Sequence, residues 1–188
     1  MSSNSPRLFI VSAPSGSGKT TLCNMLLQKY GNEIYFSVSC TTREKRQGER
    51  EGVDYFFLDE GSFKKMIENN EFAEWANVYG FYYGTPKPRI DEALNQGKNV
   101  LLDIDVQGAA KIKKVYPDAV SIFIMPPSIE ELRRRLTKRA TDPDEIIEHR
   151  LTIAKKEMAG ADKYDYVIVN DELDKAFARL EKIYRGTL

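Results

Sequence analysis

The sequence predicts an α/β fold, a parallel sheet with helices on both faces. Three observations carry this. Four short runs are almost wholly apolar, at 7–11 (RLFIV), 99–104 (NVLLDI), 119–125 (AVSIFIM) and 166–169 (YVIV). Strands buried on both faces read as continuous apolar runs of this kind. Each run is followed by a stretch with helical spacing, and the first junction between them is rich in glycine.

In chain order, the strand at 7–11 leads into a helix over 19–30, with Leu22, Met25, Leu26 and Lys29 at helical spacing and Gly31 as its stop. The run at 99–104 precedes a helix through about residue 114. The run at 119–125 precedes a helix over 128–138, and the run at 166–169 precedes a C-terminal helix over 173–184. Two segments break the rhythm. Residues 35 to about 90 hold many tyrosines and phenylalanines, and 72–79 alternates like a half-exposed strand, so a small mixed lobe is expected there. Residues 139–150 are polar, Asp142-Pro143 marks a helix start, and the stretch reads as a mobile flap.

With 188 residues the chain has the length of one domain carrying a small inserted lobe. Hydrophobic residues make up 41% and charged residues 30%, which excludes an intrinsically disordered chain. Lys+Arg and Asp+Glu are 28 each, so the net charge is +0 and the basic excess of a general nucleic-acid or membrane-surface binder is missing. Any anion must be held by a local cluster. Two cysteines, Cys23 and Cys40, and one histidine, His149, are too few for a cysteine/histidine zinc site. The N-terminal apolar run is too short for a secretory signal, and no stretch approaches the ~18 apolar residues that span a membrane. A soluble cytoplasmic protein with free thiols is expected.

Residues 13–20 read APSGSGKT, between a predicted strand and a predicted helix. This is the phosphate-loop pattern with Ala13 in the place of the usual first glycine. Gly16 and Gly18 let backbone N–H groups turn inward, and the helix N-terminus adds its positive dipole end. Lys19 reaches the outer phosphates and the Thr20 hydroxyl is a magnesium ligand. The alternative is an ordinary strand–helix turn with Ser15 or Ser17 as a cap. Asp103 and Asp105 end the run Val100-Leu101-Leu102, where carboxyl ends of parallel strands face a ligand crevice. Asp103 there can hold the magnesium shell or bind substrate, whereas Asp105 serves equally well as the cap of the following helix. Residues 37–57 (SVSCTTREKRQGEREGVDYFF) bring Arg43 and Arg46 near Tyr55, and arginine forks grip phosphate bidentately. Glu44, Glu49 and Glu51 are interleaved, so by composition the loop reads as a solvated mixed-charge turn. The cluster Arg133-Arg134-Arg135 with Lys138 and Arg139 reads mostly as a solvated helix face.

Taken together, APSGSGKT, SVSCTTREKRQGEREGVDYFF, NNEFAEWANVYGFYYGT, NVLLDIDVQG, RRLTKRATDPDEIIEHRL and VIVND resemble the guanylate kinase family over nearly the whole chain. The resemblance implies a phosphate-loop core over 1–34, 98–137 and 163–188, a mixed GMP-binding lobe over 35–97 and a small helical lid over 138–162. It implies magnesium-dependent, reversible phosphoryl transfer from ATP to GMP within purine nucleotide metabolism. ATP would lie on Ala13, Pro14, Ser15, Gly16, Ser17, Gly18, Lys19, Thr20 and Thr21, with Arg139 and Asn170. GMP would meet Ser39, Arg43, Arg46, Tyr55, Glu74, Tyr83 and Thr85, with Asp103, Asp105 and Arg150. Lys19, Arg43, Arg139 and Arg150 are the implied catalytic cations. Many members have serine where this chain has Thr85; the hydroxyl is kept. A carboxylate such as Glu74 can accept from guanine N1–H and N2–H₂ together, and a hydroxyl such as Ser39 can donate to O6. Taken alone, Glu74 reads as a strand ion pair, and Tyr55 and Tyr83 as packing aromatics. ATP and GMP are the expected partners, without nucleic acid or membrane, in a monomer or a homodimer. Two other readings are a protein-interaction module of the same fold, which lacks a working phosphate loop, and a kinase of another phosphorylated acceptor such as a ribose bisphosphate.

Overall fold

A computed structural model describes residues 5–78, 80–138 and 143–187. The elements in chain order are β1 (Leu8–Ser12), α1 (Lys19–Tyr30), β2 (Ile34–Phe36), β3 (Cys40–Thr41), β4 (Phe56–Phe57), α2 (Glu60–Glu68), β5 (Phe72–Val78), β6 (Phe81–Pro86), α3 (Lys87–Asn95), β7 (Asn99–Asp103), α4 (Val106–Val115), β8 (Val120–Met125), α5 (Ile129–Lys138), α6 (Asp144–Met158), a 3₁₀ turn (Ala161–Lys163), β9 (Tyr166–Val169) and α7 (Leu173–Arg185). The strands form a five-stranded parallel sheet, order β2-β7-β1-β8-β9, flanked by helices, and a separate four-stranded sheet, order β4-β3-β6-β5. No helix among the described residues is long and apolar enough to cross a membrane.

The chain divides into two compact units. One holds Phe9–Gly31, Asp103–Ala109 and the chain from Val120 onward. In it β1 pairs with β8 in parallel from Phe9↔Val120, and β8 with β9 from Ile122↔Tyr166. Ile10, Leu22, Ile122, Phe123 and Ile124 are fully buried here. A core side chain of this size stabilises by about 1.5–3 kcal/mol. Helices α5 and α6 bury Leu132 and Leu136 against Ile147, Leu151 and Ala154. The stretch 139–150, expected as a flap, is therefore partly a packed helix from Asp144 onward, with Pro143 at its N-cap as the Asp142-Pro143 pair indicates. Residues 139–142 lie outside the described residues.

The other unit holds the chain up to Leu8, Asn32–Leu102 and Ala110–Ala119. Here β2 pairs with β7 in parallel, and β5 with β6 antiparallel, placing Glu74 opposite Thr85 and Ala76 opposite Tyr83. β3 joins β6 antiparallel, with Thr41 opposite Tyr83. The aromatic content expected of this segment forms its small core: Phe63 stacks on Phe72 at 4.3 Å and on Tyr82 at 5.4 Å. Gly84 is required beneath this stack, because a Cβ there would lie 2.8 Å from the Phe72 ring. Two helices absent from the periodicity reading, α2 and α3, flank these strands in sequence; Asp59 caps α2 by accepting from Ser62 N at 2.8 Å.

Candidate active site

The phosphate loop leaves β1 and turns into α1 at Gly18. Gly16 and Gly18 have φ of 93° and 92°, the left-handed region that glycine enters without strain. A Cβ on Gly18 would stand 2.3 Å from Asn170 Nδ2. That amide donates to Ser17 O at 2.7 Å, so the end of β9 fastens the loop. No side chain caps α1, which removes the Ser15 or Ser17 cap alternative and leaves the first-turn N–H groups for an anion.

Asp103 organises the polar end of the loop. Its Oδ1 lies 2.5 Å from Lys19 Nζ, and its Oδ2 accepts from Thr20 Oγ1 at 3.3 Å. Lys19 also donates to Ile104 O at 3.1 Å. Asp105 Oδ1 accepts from Gly108 N at 2.7 Å and so caps α4, the structural one of its two expected roles. Arg150, on α6, donates to the Ser15 hydroxyl. Glu157, seven residues along the same helix, has its carboxyl pushed up by burial and by Asp105, with Lys19 opposing. Arg139 lies outside the described residues. A pocket of about 410 Å³ opens beside the loop, lined by Gly16, Gly18, Thr21, Arg135, Asn170 and Leu173 among others. Arg133 and Arg134 are the exposed ion-paired residues expected of a solvated face. Arg135 departs from that reading: it turns inward, donating to Asn170 O at 3.0 Å while Glu131 holds its Nε at 2.8 Å.

The remaining predicted residues gather on the other unit. Opposed residues of an antiparallel pair share a face, so Glu74, Thr85, Tyr83 and Thr41 lie on one side of the β3-β6-β5 sheet. Ser39 immediately precedes β3, and its carbonyl accepts from Phe56 N at 2.9 Å. Thr85 is fully buried, and its hydroxyl donates to Glu74 Oε1 at 2.7 Å. Tyr55 meets Tyr83 edge to face at 5.9 Å. The Arg43 guanidinium lies over the Tyr55 ring at 5.6 Å and the Phe57 ring at 5.9 Å. Arg43 Nη2 donates to Glu49 Oε1 at 2.7 Å, and the Arg46 N–H donates to Glu49 Oε2 at 2.8 Å. Contact with these two groups holds the Glu49 carboxyl below its ordinary range. Arg46 itself is exposed. Glu74 is therefore one of a hydroxyl–carboxylate pair; of the interleaved acids, Glu49 is engaged with both arginines.

This geometry has close relatives. A sequence profile of the guanylate kinase family matches residues 5–186. The guanylate kinase of Carboxydothermus hydrogenoformans is 52% identical over 94% of this chain and 86% of its own. That of Coxiella burnetii is 50% identical over 94% and 85%. A crystal structure of guanylate kinase from Anaplasma phagocytophilum, 38% identical, superposes with a TM-score of 0.76 over 96% of this chain and 85% of that one. A shikimate kinase from Bacteroides thetaiotaomicron, at 13% identity and a TM-score of 0.52 over 95% of this chain and 98% of that one, shares the fold alone. With the profile spanning nearly every residue and half the positions identical in full-length relatives, the chain belongs to the guanylate kinase family.

Proposed function

We propose that the protein transfers the terminal phosphoryl group of ATP reversibly to GMP, giving ADP and GDP, in the cytoplasm, without a nucleic-acid or membrane partner. The observation that carries this is one chain holding both an intact Lys19–Asp103–Thr20 phosphate loop and a lobe that carries the Glu74–Thr85 pair together with the Arg43 guanidinium over Tyr55. The loop argues against a binding module of the same fold. The Glu74–Thr85 pair argues for a guanine, and against an acceptor without a base.

The nucleophile is a phosphate oxygen of GMP, ionised near neutral pH, so no general base is needed. It attacks the terminal phosphorus of ATP, and the bond from that phosphorus to the bridging oxygen breaks, leaving ADP. The difficulty is electrostatic. Two groups of about −2 charge at ~5 Å repel by roughly 3 kcal/mol in water and by more in a drier site. Lys19, Arg43, Arg46, Arg139 and Arg150 offset this repulsion and stabilise charge on the transferred group. Asp103 keeps Lys19 in place through their 2.5 Å contact. Loop amides and Asn170 position the donor. Ser39, Glu74 and Thr85 read the base, while Tyr55 and Tyr83 add hydroxyls at the acceptor phosphate.

Thr20 and Asp103 present hard oxygen atoms side by side, which suits magnesium, an ion that takes few protein ligands and completes its shell with phosphates and water. Thr20 would hold it directly and Asp103 through its shell; bound with ATP, it neutralises phosphate charge. We assign 1–34, 98–137 and 163–188 to the core, 35–97 to the GMP lobe and 138–162 to a lid that includes α6.

The test is ADP formation from ATP and magnesium with GMP, dGMP, AMP, CMP, UMP and ribose bisphosphate as acceptors. GMP should be the rapid acceptor, and comparable rates with AMP or UMP would overturn the assignment.

A further inference from the structure

In the loop between β3 and β4, a negative charge sits among the cations proposed to meet the acceptor phosphate. The Glu49 carboxylate reaches two partners at once, Arg43 Nη2 at 2.7 Å and the Arg46 N–H at 2.8 Å. Its own N–H donates back to Arg46 O at 3.2 Å, closing the turn. Gly48 supplies the positive φ of 90° that the turn requires. The pair is sheltered, with side chains 11% and 20% exposed for Arg43 and Glu49. Arg43 Nη1 donates to Glu44 O at 2.6 Å, so Nη1 and Nη2 are both engaged. The guanidinium lies over the Tyr55 and Phe57 rings. Of the neighbouring acids, Glu51 accepts from Phe57 N, and Glu44 meets Arg43 through its backbone carbonyl.

A carboxylate close to a bound phosphate repels it. Such a charge favours binding only if it holds the cations in a geometry worth more than that repulsion. A free arginine side chain carries large rotamer entropy, and fixing it beforehand removes that cost from the binding step. We infer that Glu49 is a positioning residue for acceptor binding: one carboxylate holds the Arg43 fork and the backbone bearing Arg46, so that the phosphate meets a preformed Arg43 guanidinium beside an Arg46 anchored at its main chain. The inference rests on the proposed GMP site, and within it concerns the phosphate and not the base.

The test is calorimetric titration of the full chain with GMP and with guanosine, which shares the base and lacks the phosphate. The variants are Glu49→Gln, Glu49→Ala, Arg43→Gln and the double change Glu49→Gln/Arg43→Gln. Glutamine has one acceptor oxygen, so one of the two arms is lost. The GMP Kd should rise about tenfold or more, as for one charge-assisted hydrogen bond. Guanosine should bind as before, which also reports that the lobe is folded. Glu49→Ala should weaken GMP further. In the Arg43→Gln background, Glu49→Gln should add much less than it does alone, because most of its effect passes through Arg43. In steady state the loss should fall on KM for GMP, with kcat largely kept. GMP binding that is unchanged or tightened by Glu49→Gln would mean that Glu49 competes with the phosphate. Equal weakening of GMP and guanosine would mean that it merely supports the lobe. Either result overturns the inference alone, provided Arg43→Gln lowers the preference for GMP over guanosine. If Arg43→Gln leaves that preference intact, the assignment of the acceptor phosphate to Arg43 falls, and the inference falls with it.

Discussion

Replacing Glu74 by glutamine separates base reading from lobe stability. In the structure Glu74 Oε1 accepts from the buried Thr85 hydroxyl at 2.7 Å. A carboxylate held this way can still accept both guanine donors, N1–H and N2–H₂. An amide cannot. If its oxygen stays on Thr85, the NH₂ faces a guanine donor. If the NH₂ turns to Thr85, whose hydroxyl can also accept, a single oxygen is left for two guanine donors. In both orientations one charged hydrogen bond is lost, about 3 kcal/mol or roughly 10² in kcat/KM for GMP. The Thr85 contact survives in both, so the melting temperature should move by less than about 2–4 °C, the equivalent of 1 kcal/mol for a chain of this size. AMP should lose far less, because the new NH₂ can donate to adenine N1. The assay is coupled ADP formation with each acceptor, beside a thermal melt. A variant that melts early yet keeps its GMP-over-AMP preference would refute the reasoning and make Glu74 a structural partner of Thr85.

Three further outcomes are expected. Lys19→Ala should reduce phosphoryl transfer by on the order of 10²–10³ while calorimetry shows GMP binding retained, since Lys19 lies with the phosphate loop. Gly18→Ala combines a φ of 92° with a Cβ 2.3 Å from Asn170 Nδ2, so ATP protection against thermal unfolding should disappear; an alanine variant protected as well as the parent would show that the loop relaxes freely. Hydrogen bonds from Arg134 and Arg135 lower the Glu131 carboxyl from its ordinary 4.5 to about 2. A depressed value stabilises the folded chain above the unfolded pKa, and that contribution fades as pH falls from about 4.5 through about 2. The melting difference between the parent and Glu131→Gln should therefore close over that interval and stay constant above it.

The layered core was legible because its elements are long or strictly patterned. Residues 19–30 and 166–169 form α1 and β9 as expected, and the other three apolar runs agree within a residue or so at each end. What escaped was short or masked by charge. β2 has three residues, too few for a period. Asp142-Pro143 marks the start of α6, but DEIIEHR surrounds Ile147 with charge, so the buried face it forms with Leu151 and Ala154 does not show as a period. In the candidate site, Gly16, Gly18, Lys19 and Asp103 announce themselves by motif and by place at a strand end. Glu74 and Glu49 do not, because their meaning depends on strand register and on a turn that closes over three residues. Arg135 looked like its neighbours and differs only in the direction that the helix gives it. Cys23 completes the buried face of α1, and burial, then Asp103, pushes its thiol far up.

The fastening of Ser17 by Asn170 joins positions 153 residues apart. Asn170 itself is set by its N–H to Met125 O at 2.8 Å and by Arg135 on its carbonyl. The phosphate loop is thus encoded 153 residues ahead of the side chain that latches it. During synthesis the glycine turn emerges early and waits, unlatched, until β9 has left the ribosome and slotted beside β8. Ribosomes add roughly 5–20 residues per second, so the interval is on the order of ten seconds. A chain arrested before Asn170 would carry the complete phosphate-loop motif and still lack its lock. Nucleotide affinity measured on nascent chains of increasing length should accordingly appear in a single late step, after Asn170 clears the exit tunnel.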